Sequence, residues 1–330
     1  MKPRPSHIQC VSQIRFVIYS SITSHFPLPT SPPQPTPDPR PLTPMLPTLP
    51  IRPPDGHKGT FGRISVIGGS AGLSGAVCLA SLAALRSGSG LVTACVPRSL
   101  QILVAASEPC IMTVGLPDND GHLLPPDTTL LTEVLSGRDA VACGPGLGRS
   151  PQVLDWPQQL LRHATCPLVL DADALHPALP ETLRQTQHPA CIITPHPGEF
   201  SRLTGLPIAT ISADRERLAA EFARLHQVIV VLKGPGTVVT DGNRTFVNTT
   251  GNSGMGTGGS GDVLTGIVVS LLGQGLDPFE AAAIAVYAHG AAGDFAAQRF
   301  TPRAMIASDL ITCLPDAWRL LEAPRQTHSP

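Results

Sequence analysis

An α/β fold, with a mostly parallel central sheet covered by helices on both faces, is what this sequence predicts. From about residue 55, short β-branched apolar runs alternate with longer helical stretches, the pattern of strands joined by crossover helices. Glycine or another special residue follows nearly every one of those runs, and that is where such a sheet collects its ligands. Of 330 residues, 42% are hydrophobic and 14% charged, enough apolar content for one large core or two small ones, which excludes a collagen-like or wholly disordered chain.

In chain order, RISVIG is a β-branched strand that ends in the glycine-rich VIGGSAGLSGA, which runs on into the alanine- and leucine-rich helix SGAVCLASLAALRS. GLVTACV is the next strand. DAVACG follows as a strand with ACGPGLG at its end, and PQVLDWPQQLLRHA is read as the helix behind it. PLVLDA and ACIITP are two further strands, ending in VLDADAL and ITPHPGEF. SADRERLAAEFARLH alternates charged and apolar residues at helical spacing and leads into the strand QVIVVLKG. TVVTD and RTFVN form a later hairpin, and SGDVLTGIVVSLLG and DPFEAAAIAVYAHGAAGDFAAQ are the closing helices.

Lys plus Arg total 23 against 24 Asp plus Glu, a formal net charge of −1, which gives no electrostatic footprint for nucleic acid or an anionic membrane and favours a small-molecule partner. Only three of the cations are lysines, Lys2, Lys58 and Lys233, so a lysine in a glycine-rich loop stands out. The eight cysteines are never closer than 15 residues, and none belongs to a CxxC or a zinc-spaced cluster. Several sit in apolar runs such as LVTACV, so a reduced, cytoplasmic protein is expected. No stretch approaches the roughly 18 to 20 uninterrupted apolar residues of a membrane span.

Residues 1–54 stand apart. Fifteen of the 36 prolines lie there, and such a run cannot sustain a helix or a central strand. A disordered extension over 1–54 is expected, followed by one domain over 55–325. IQCVSQIRFVIYSSI, behind Lys2 and Arg4, is a poor signal-peptide core: it carries Gln, Ser and an internal Arg and lacks a small-residue cleavage site. Met45 offers an alternative translation start.

The strongest local signal is NTTGNSGMGTGGSGDVLTG, where six glycines between Gly251 and Gly261 lead directly into an apolar helix. Converging backbone N–H groups and the positive end of a helix dipole make a cradle for phosphate or an oxyanion. Asp262 sits at its mouth, as a stabiliser of the first helical turn or as a base for a hydroxyl attacking a phosphoryl group. A Walker A loop is excluded because the chain has no Gly-Lys dipeptide, and VIGGSAGLSG does not match the GxGxxG of a dinucleotide-binding unit. In LKGPGTVVTDG, Lys233 follows a strand and precedes two glycines, placed to reach phosphate or to open a surface turn. TPHPGEF holds His196 between two prolines with Glu199 in the following helix, an arrangement suited to substrate contact or to capping that helix. Asp171 and Asp173 at another strand end are candidates for magnesium or for helix capping.

Taken together and in this order, GGSAGLSGA, GPGLG, LDADAL, TPHPGEF, KGPGT and NTTGNSGMGTGGSGDVLTG resemble the ADP/ATP-dependent NAD(P)H-hydrate dehydratase family over about residues 55–322. The resemblance implies a ribokinase-like three-layer α/β/α fold. It also implies repair of the S epimers of NADHX and NADPHX to NADH and NADPH, by phosphorylation of the ring hydroxyl and loss of phosphate, with Mg2+ and with ADP or ATP as donor. On matching positions it makes Asp262 the base and a substrate contact, beside Ala76, Gly146, Gly148 and His196. It gives the nucleotide to Lys233, Gly234, Pro235, Gly236, Thr237, Gly258, Gly259 and Gly261, with Asn252 a further candidate for phosphate or magnesium. Ser253 and Ser260 depart from the family pattern, where proline and threonine are commoner, but both keep the backbone donors. Many bacterial members are fused behind an epimerase. Fifty-four residues are too few to contain one, so a separate NAD(P)H-hydrate epimerase is expected. Homotetramers are common in the family.

A kinase of the same fold acting on a stable alcohol, such as hydroxyethylthiazole or hydroxymethylpyrimidine, shares the cradle and the aspartate but fits HPGEF and KGPGT less well. A nucleotide-binding regulatory protein without catalysis is the reading from another class. Retention of Asp262, Lys233 and the full cradle argues against it.

Overall fold

A computed structural model describes residues 46–188 and 190–323. Eleven strands follow in chain order among them: β1 (Arg63–Ile67), β2 (Leu91–Pro97), β3 (Met112–Leu116), β4 (Asp118–Asn119), β5 (His122–Leu123), β6 (Ala140–Cys143), β7 (Leu168–Leu170), β8 (Cys191–Ile193), β9 (Ile229–Leu232), β10 (Val238–Thr240) and β11 (Thr245–Val247). Nine of them form one sheet in the order β11-β10-β9-β8-β7-β6-β1-β2-β3, while β4 and β5 pair separately as a small hairpin. Pairing is parallel from β3 through β9 and antiparallel at β9–β10 and β10–β11. The chain runs outward from β1 to β3, returns to the other side of β1 as β6, and continues to β9. Connections therefore diverge on either side of the β1/β6 boundary, which opens a crevice at the carboxyl ends of the strands.

The strands are short apolar runs because both faces are covered. Ile64, Val66, Val92, Ala94, Val96, Ala142, Val169, Ile192 and Val231 point into one core, while Ile67, Cys95, Val141, Cys143, Leu168, Leu170, Ile193 and Val230 point into the other. That alternation is the period of two expected of strands. The helices are α1 (Ser74–Arg86), α2 (Gln101–Ala105), α3 (Thr128–Leu135), α4 (Asp155–His163), α5 (Leu179–Thr186), α6 (Pro197–Thr204), α7 (Ile208–Ala213), α8 (Arg215–His226), α9 (Ser260–Gly273), α10 (Pro278–Phe300) and α11 (Ala307–Glu322). Helices α1, α2 and α9–α11 feed the first core and α3–α8 the second, giving three layers. Helix α9 is apolar almost all round because it lies between the sheet and its neighbours α1 and α10.

Every strand and helix expected from the sequence has a counterpart, but the short helices α2, α3, α5 and α7, the β4–β5 hairpin, strand β3 and helix α11 were not anticipated. Strand β3 was not anticipated because it is a half-exposed edge whose Met112 faces outward. Helix α11 carries Pro315 in its interior, a residue that argues against a helix from sequence alone. The helix expected over SADRERLAAEFARLH is α8; only its first two residues, Ser212 and Ala213, belong to the separate short helix α7, and the backbone leaves helical geometry between the two helices at Asp214 (φ −149°, ψ 56°).

The expected extension falls largely on residues 1–45, outside the described residues. Its last nine residues are described, largely without regular secondary structure. Leu46 and Leu49 pack against the first core, and the Arg52 guanidinium lies 3.7 Å from the Phe61 ring centroid and donates to the Gly88 carbonyl at 3.0 Å. Among the described residues no helix is long and apolar enough to cross a membrane, and the seven cysteines are free thiols.

Candidate active site

Helix α9 begins beneath the glycine-rich loop. Gly259, the residue before it, has φ +91°, a left-handed conformation that side-chain-bearing residues rarely adopt, and this turns the chain sharply enough to aim the first turn of α9 at the crevice. Helix α10 holds that loop from behind. Asn248 donates to the Val286 carbonyl, Thr250 to the Tyr287 carbonyl at 2.9 Å, and Asn252 to the Gly293 carbonyl at 2.9 Å and the Asp294 carboxylate at 3.0 Å. Gly251 N–H also donates to Asp294. His289 Nε2 lies 2.9 Å from the Ser260 carbonyl. Burial pushes that imidazole down to about 4, so it is neutral and its Nε2–H is the donor.

Asp262 sits in the first turn of α9 with its carboxyl pushed up from 3.8 to about 7. Burial is the main cause. The neighbouring Asp171 adds to it, Lys233 works against it, and Asp173 and Glu199 add smaller increments. A carboxyl near 7 is half ionised at neutral pH, the condition for accepting a proton and giving it up again.

Lys233 follows β9 and is neither a free cation nor part of a surface turn. Its ammonium donates to Asp171 Oδ1 at 2.7 Å and lies 3.7 Å from Glu199 Oε2. Burial disfavours the charge, but Asp171 and Glu199 outweigh it and hold the ammonium above its ordinary pKa. Asp171, at the end of β7, is 1% exposed and accepts a second hydrogen bond from Thr265 Oγ1 at 2.6 Å. Burial opposes its charge too, yet Lys233 and Thr265 keep the carboxyl below the usual range. A Cβ placed on Gly261 would stand 3.2 Å from Lys233 Nζ, so the lysine lies directly against the glycine cradle.

His196 caps α6. Its Nδ1 accepts from the N–H groups of Gly198 and Glu199 at 3.0 and 3.2 Å, while Glu199 Oε2 accepts from the His196 N–H at 2.7 Å, a reciprocal capping box. With Nδ1 used as acceptor, Nε2 carries the proton and faces Glu199 Oε1 at 3.3 Å. Burial, and then Lys233 and Arg202, hold the ring below its ordinary pKa, against the opposing pull of Asp171. The cap occupies one edge of the ring while half of the side chain stays exposed toward the crevice.

The loops after β1 and β6 meet each other. Gly146 has φ +61°, and a Cβ there would lie 2.4 Å from the Leu73 carbonyl oxygen and 3.0 Å from Ala76 Cβ. Gly148 N–H donates to Asp173 Oδ2 at 3.0 Å, and Arg149 Nε to Asp173 Oδ1 at 2.9 Å. Asp173 is thus committed to the loop after β6. Neither aspartate acts through its side chain as a helix cap.

Of the residues singled out from the sequence, the structure brings together Asp262, Gly261, Lys233 and His196 around the end of the sheet, with Ala76, Gly146 and Gly148 clustered on the neighbouring loops. Gly258 is exposed, and a Cβ there would meet nothing within 4 Å. The Asn252 amide N–H groups face α10 and its Oδ1 accepts from Gly254 N–H at 2.9 Å, so the side chain braces the loop from behind. Gly234, Pro235, Gly236 and Thr237 form a turn closed by Thr237 Oγ1 donating to the Gly234 carbonyl at 2.9 Å. Arg215, at the start of α8, donates to the carbonyls of Leu232, Lys233 and Pro235. Arg215, Thr265 and His289 were missed from the sequence. Only Thr265 left a signal there, three residues after Asp262 and so on the same helix face.

Among the described residues no group of three or more His, Cys, Asp or Glu side chains is arranged to hold a metal ion. Asp171 and Glu199 are both engaged with the Lys233 ammonium. A cavity of about 520 Å³, lined by His188, Arg224, Asp241 and Arg244 among others, opens at the opposite, amino-terminal ends of β8 and β9. Its arginines are already tied, Arg244 to Asp241 and Asp277 and Arg224 to the Gly242 carbonyl, and the chemistry described above lies elsewhere.

Comparison with known proteins bears on this site. The family model described as NAD(P)H-hydrate dehydratase matches residues 64–316. A bifunctional NAD(P)H-hydrate repair enzyme of Moorella thermoacetica is 48% identical over 276 residues, covering 82% of this chain and 52% of that protein. The ADP-dependent (S)-NAD(P)H-hydrate dehydratase of Bacillus subtilis is 36% identical over 280 residues, covering 81% of this chain and 93% of its own length. A crystal structure of the B. subtilis ADP/ATP-dependent NAD(P)H-hydrate dehydratase, co-crystallised with ATP/Mg2+, superimposes with a TM-score of 0.71 at 33% identity over 83% of this chain and 95% of that one. The chain spans about half the length of the bifunctional relatives it matches. The three-layer fold is ribokinase-like.

Proposed function

The chain belongs to the NAD(P)H-hydrate dehydratase family, and on that premise we propose that it returns the S epimers of NADHX and NADPHX to NADH and NADPH at the expense of ADP or ATP. The observation that carries this reading is Asp262, a carboxyl raised to about 7 at the head of a glycine-lined helix and beside a buried ammonium. In the hydrate, water has added across a ring double bond, and the resulting hydroxyl is a poor leaving group. Asp262 takes the hydroxyl proton as the oxygen attacks the terminal phosphorus of the nucleotide, and the nucleotide leaves shortened by one phosphate. The ring nitrogen lone pair then expels inorganic phosphate, and loss of a proton from the adjacent carbon restores the double bond.

The residues divide by place. Ala76, Gly146, Gly148 and the exposed edge of His196 receive the hydrate. Lys233 through Thr237 together with Gly258, Gly259 and Gly261 receive the nucleotide, whose phosphates meet the N–H groups of the cradle. The described residues include no cluster that would hold Mg2+ by itself; bound together with the nucleotide, the ion would supply charge neutralisation on the non-bridging phosphate oxygens. The same reading expects an NAD(P)H-hydrate epimerase to supply the S epimer and a homotetrameric assembly, which light scattering measures.

The test is the hydrate assay run in parallel with ADP and with ATP in the presence of magnesium. Absorbance in the reduced-nicotinamide band should return, with phosphate released in step and one nucleotide serving as the better donor. No signal with either nucleotide, together with a stable phosphorylated product from a thiamin-type alcohol, overturns the proposal in favour of a small-alcohol kinase.

A further inference from the structure

Asp171 is the most deeply enclosed acidic side chain in the site, 1% exposed against 4% for Glu199, and both of its oxygens are used. Oδ1 takes the Lys233 ammonium at 2.7 Å, and Oδ2 takes the hydroxyl of Thr265 at 2.6 Å. Thr265 is itself 0% exposed and lies one helical turn after Asp262, on the same face of α9. Lys233 in turn rests against Gly261, the residue immediately before Asp262. The contacts close a ring: the helix that carries the base also fixes, through Thr265 and Asp171, where the ammonium stands relative to that base.

We propose that Asp171 and Thr265 are positioning residues that fix Lys233 to helix α9, so that the ammonium and the Asp262 carboxyl keep one mutual geometry at the nucleotide's terminal phosphate. The proposal rests on the dehydratase reading above for the identity of the phosphate, though not for the ring of contacts itself. A counter-ion that merely neutralised a buried lysine needs only Oδ1. The second hydrogen bond, made to the one element that bears the base, is what a positioning role requires. Bonds to charged groups are short and directional, so losing one lets the pair shift by enough to matter to a reaction sensitive to about 1 Å.

Thr265→Val removes the hydroxyl while keeping shape, and Thr265→Ser restores the hydroxyl. Two readouts are taken on the full chain. The first is steady-state turnover of the hydrate. The second is the rate at which an amine-acylating reagent labels Lys233, followed by peptide mass spectrometry with exposed Lys58 as internal reference; with only three lysines in the chain the assignment is direct. In Thr265→Val, kcat should fall about tenfold with the hydrate KM little changed, and Lys233 labelling should accelerate about tenfold, the scale of one charge-assisted hydrogen bond. Thr265→Ser should return both toward wild type. Wild-type kcat and wild-type labelling in Thr265→Val overturn the proposal, whatever happens to the melting temperature, because they leave Asp171 as a plain counter-ion. If the wild-type protein turns over no hydrate, the functional reading fails while the labelling series still decides the positioning role.

Discussion

Replacing Asp262 by asparagine should weaken the enzyme and strengthen the fold, and the two effects depend differently on pH. The carboxyl is raised from 3.8 to about 7 in the folded protein. A group raised on folding holds its proton more tightly when folded, so its stabilising contribution is complete below the unfolded pKa and is lost as pH rises through the folded one. The gap of about 3 units (about 7 less 3.8) corresponds to about 4 kcal/mol at 1.36 kcal/mol per unit. Partial exposure and water reduce this to about 2 kcal/mol. At pH 8 the wild-type protein carries the full cost of an ionised Asp262, and Asp262→Asn should melt about 4–8 °C higher. At pH 5 the folded carboxyl is already protonated, and the advantage should shrink to about 2 °C. Turnover in the variant should fall by about 10²–10⁴, and the wild-type rise in kcat with an apparent pKa close to 7 should vanish with it. Scanning calorimetry at the two pH values and the hydrate assay read these quantities. A variant that melts lower than wild type at pH 8, or by the same margin at both pH values, refutes the account of Asp262; unchanged turnover refutes its role as base.

Lys233→Ala leaves Asp171 and Glu199 facing each other without their counter-ion and should cost about 3–5 kcal/mol in denaturant unfolding, together with weaker nucleotide binding by calorimetry; a loss below about 1 kcal/mol would return the lysine to an exposed turn. Gly146→Ala drives a Cβ to 2.4 Å from the Leu73 carbonyl in a left-handed backbone, so the hydrate subsite should shift and kcat/KM should fall about 10²-fold; a kinetically silent variant would place the hydrate elsewhere. Deleting residues 1–54 should lower the melting temperature by about 3 °C relative to deleting 1–45, because only the longer deletion removes the Arg52 stack on Phe61 and the packing of Leu46 and Leu49; equal melting temperatures contradict that contribution.

The alternation of the sheet was legible in the sequence because the central strands are buried on both sides and so announce themselves as short, mainly apolar runs broken only by small polar residues such as Ser65 and Thr93. Edge strand β3 is not, and Met112 at its start points outward. The glycine-rich loop was legible in the sequence for a different reason: a chain that turns through a left-handed residue such as Gly259 directly into a helix calls for glycine there. Partners drawn from distant strands were not. Nothing in LDADAL says that Asp171 meets a lysine 62 residues later, or that its other oxygen is taken by a threonine 94 residues on. The partners of the Asn252 amide were not legible either, because only the packing of the loop on α10 shows where that side chain goes. His289 and Arg215 act on backbone carbonyls, contacts that carry no residue preference at the receiving end and so leave no trace in spacing.

Helix α10 suspends the glycine-rich loop at five residues, Asn248, Thr250, Gly251, Asn252 and Ser260. The curvature of that hammock is therefore dictated by the pitch of a helix whose other flank is pressed against the carboxyl-terminal helix α11. On the proposed reading, substitutions along that remote seam should change the grip on phosphate without altering a single residue that touches it.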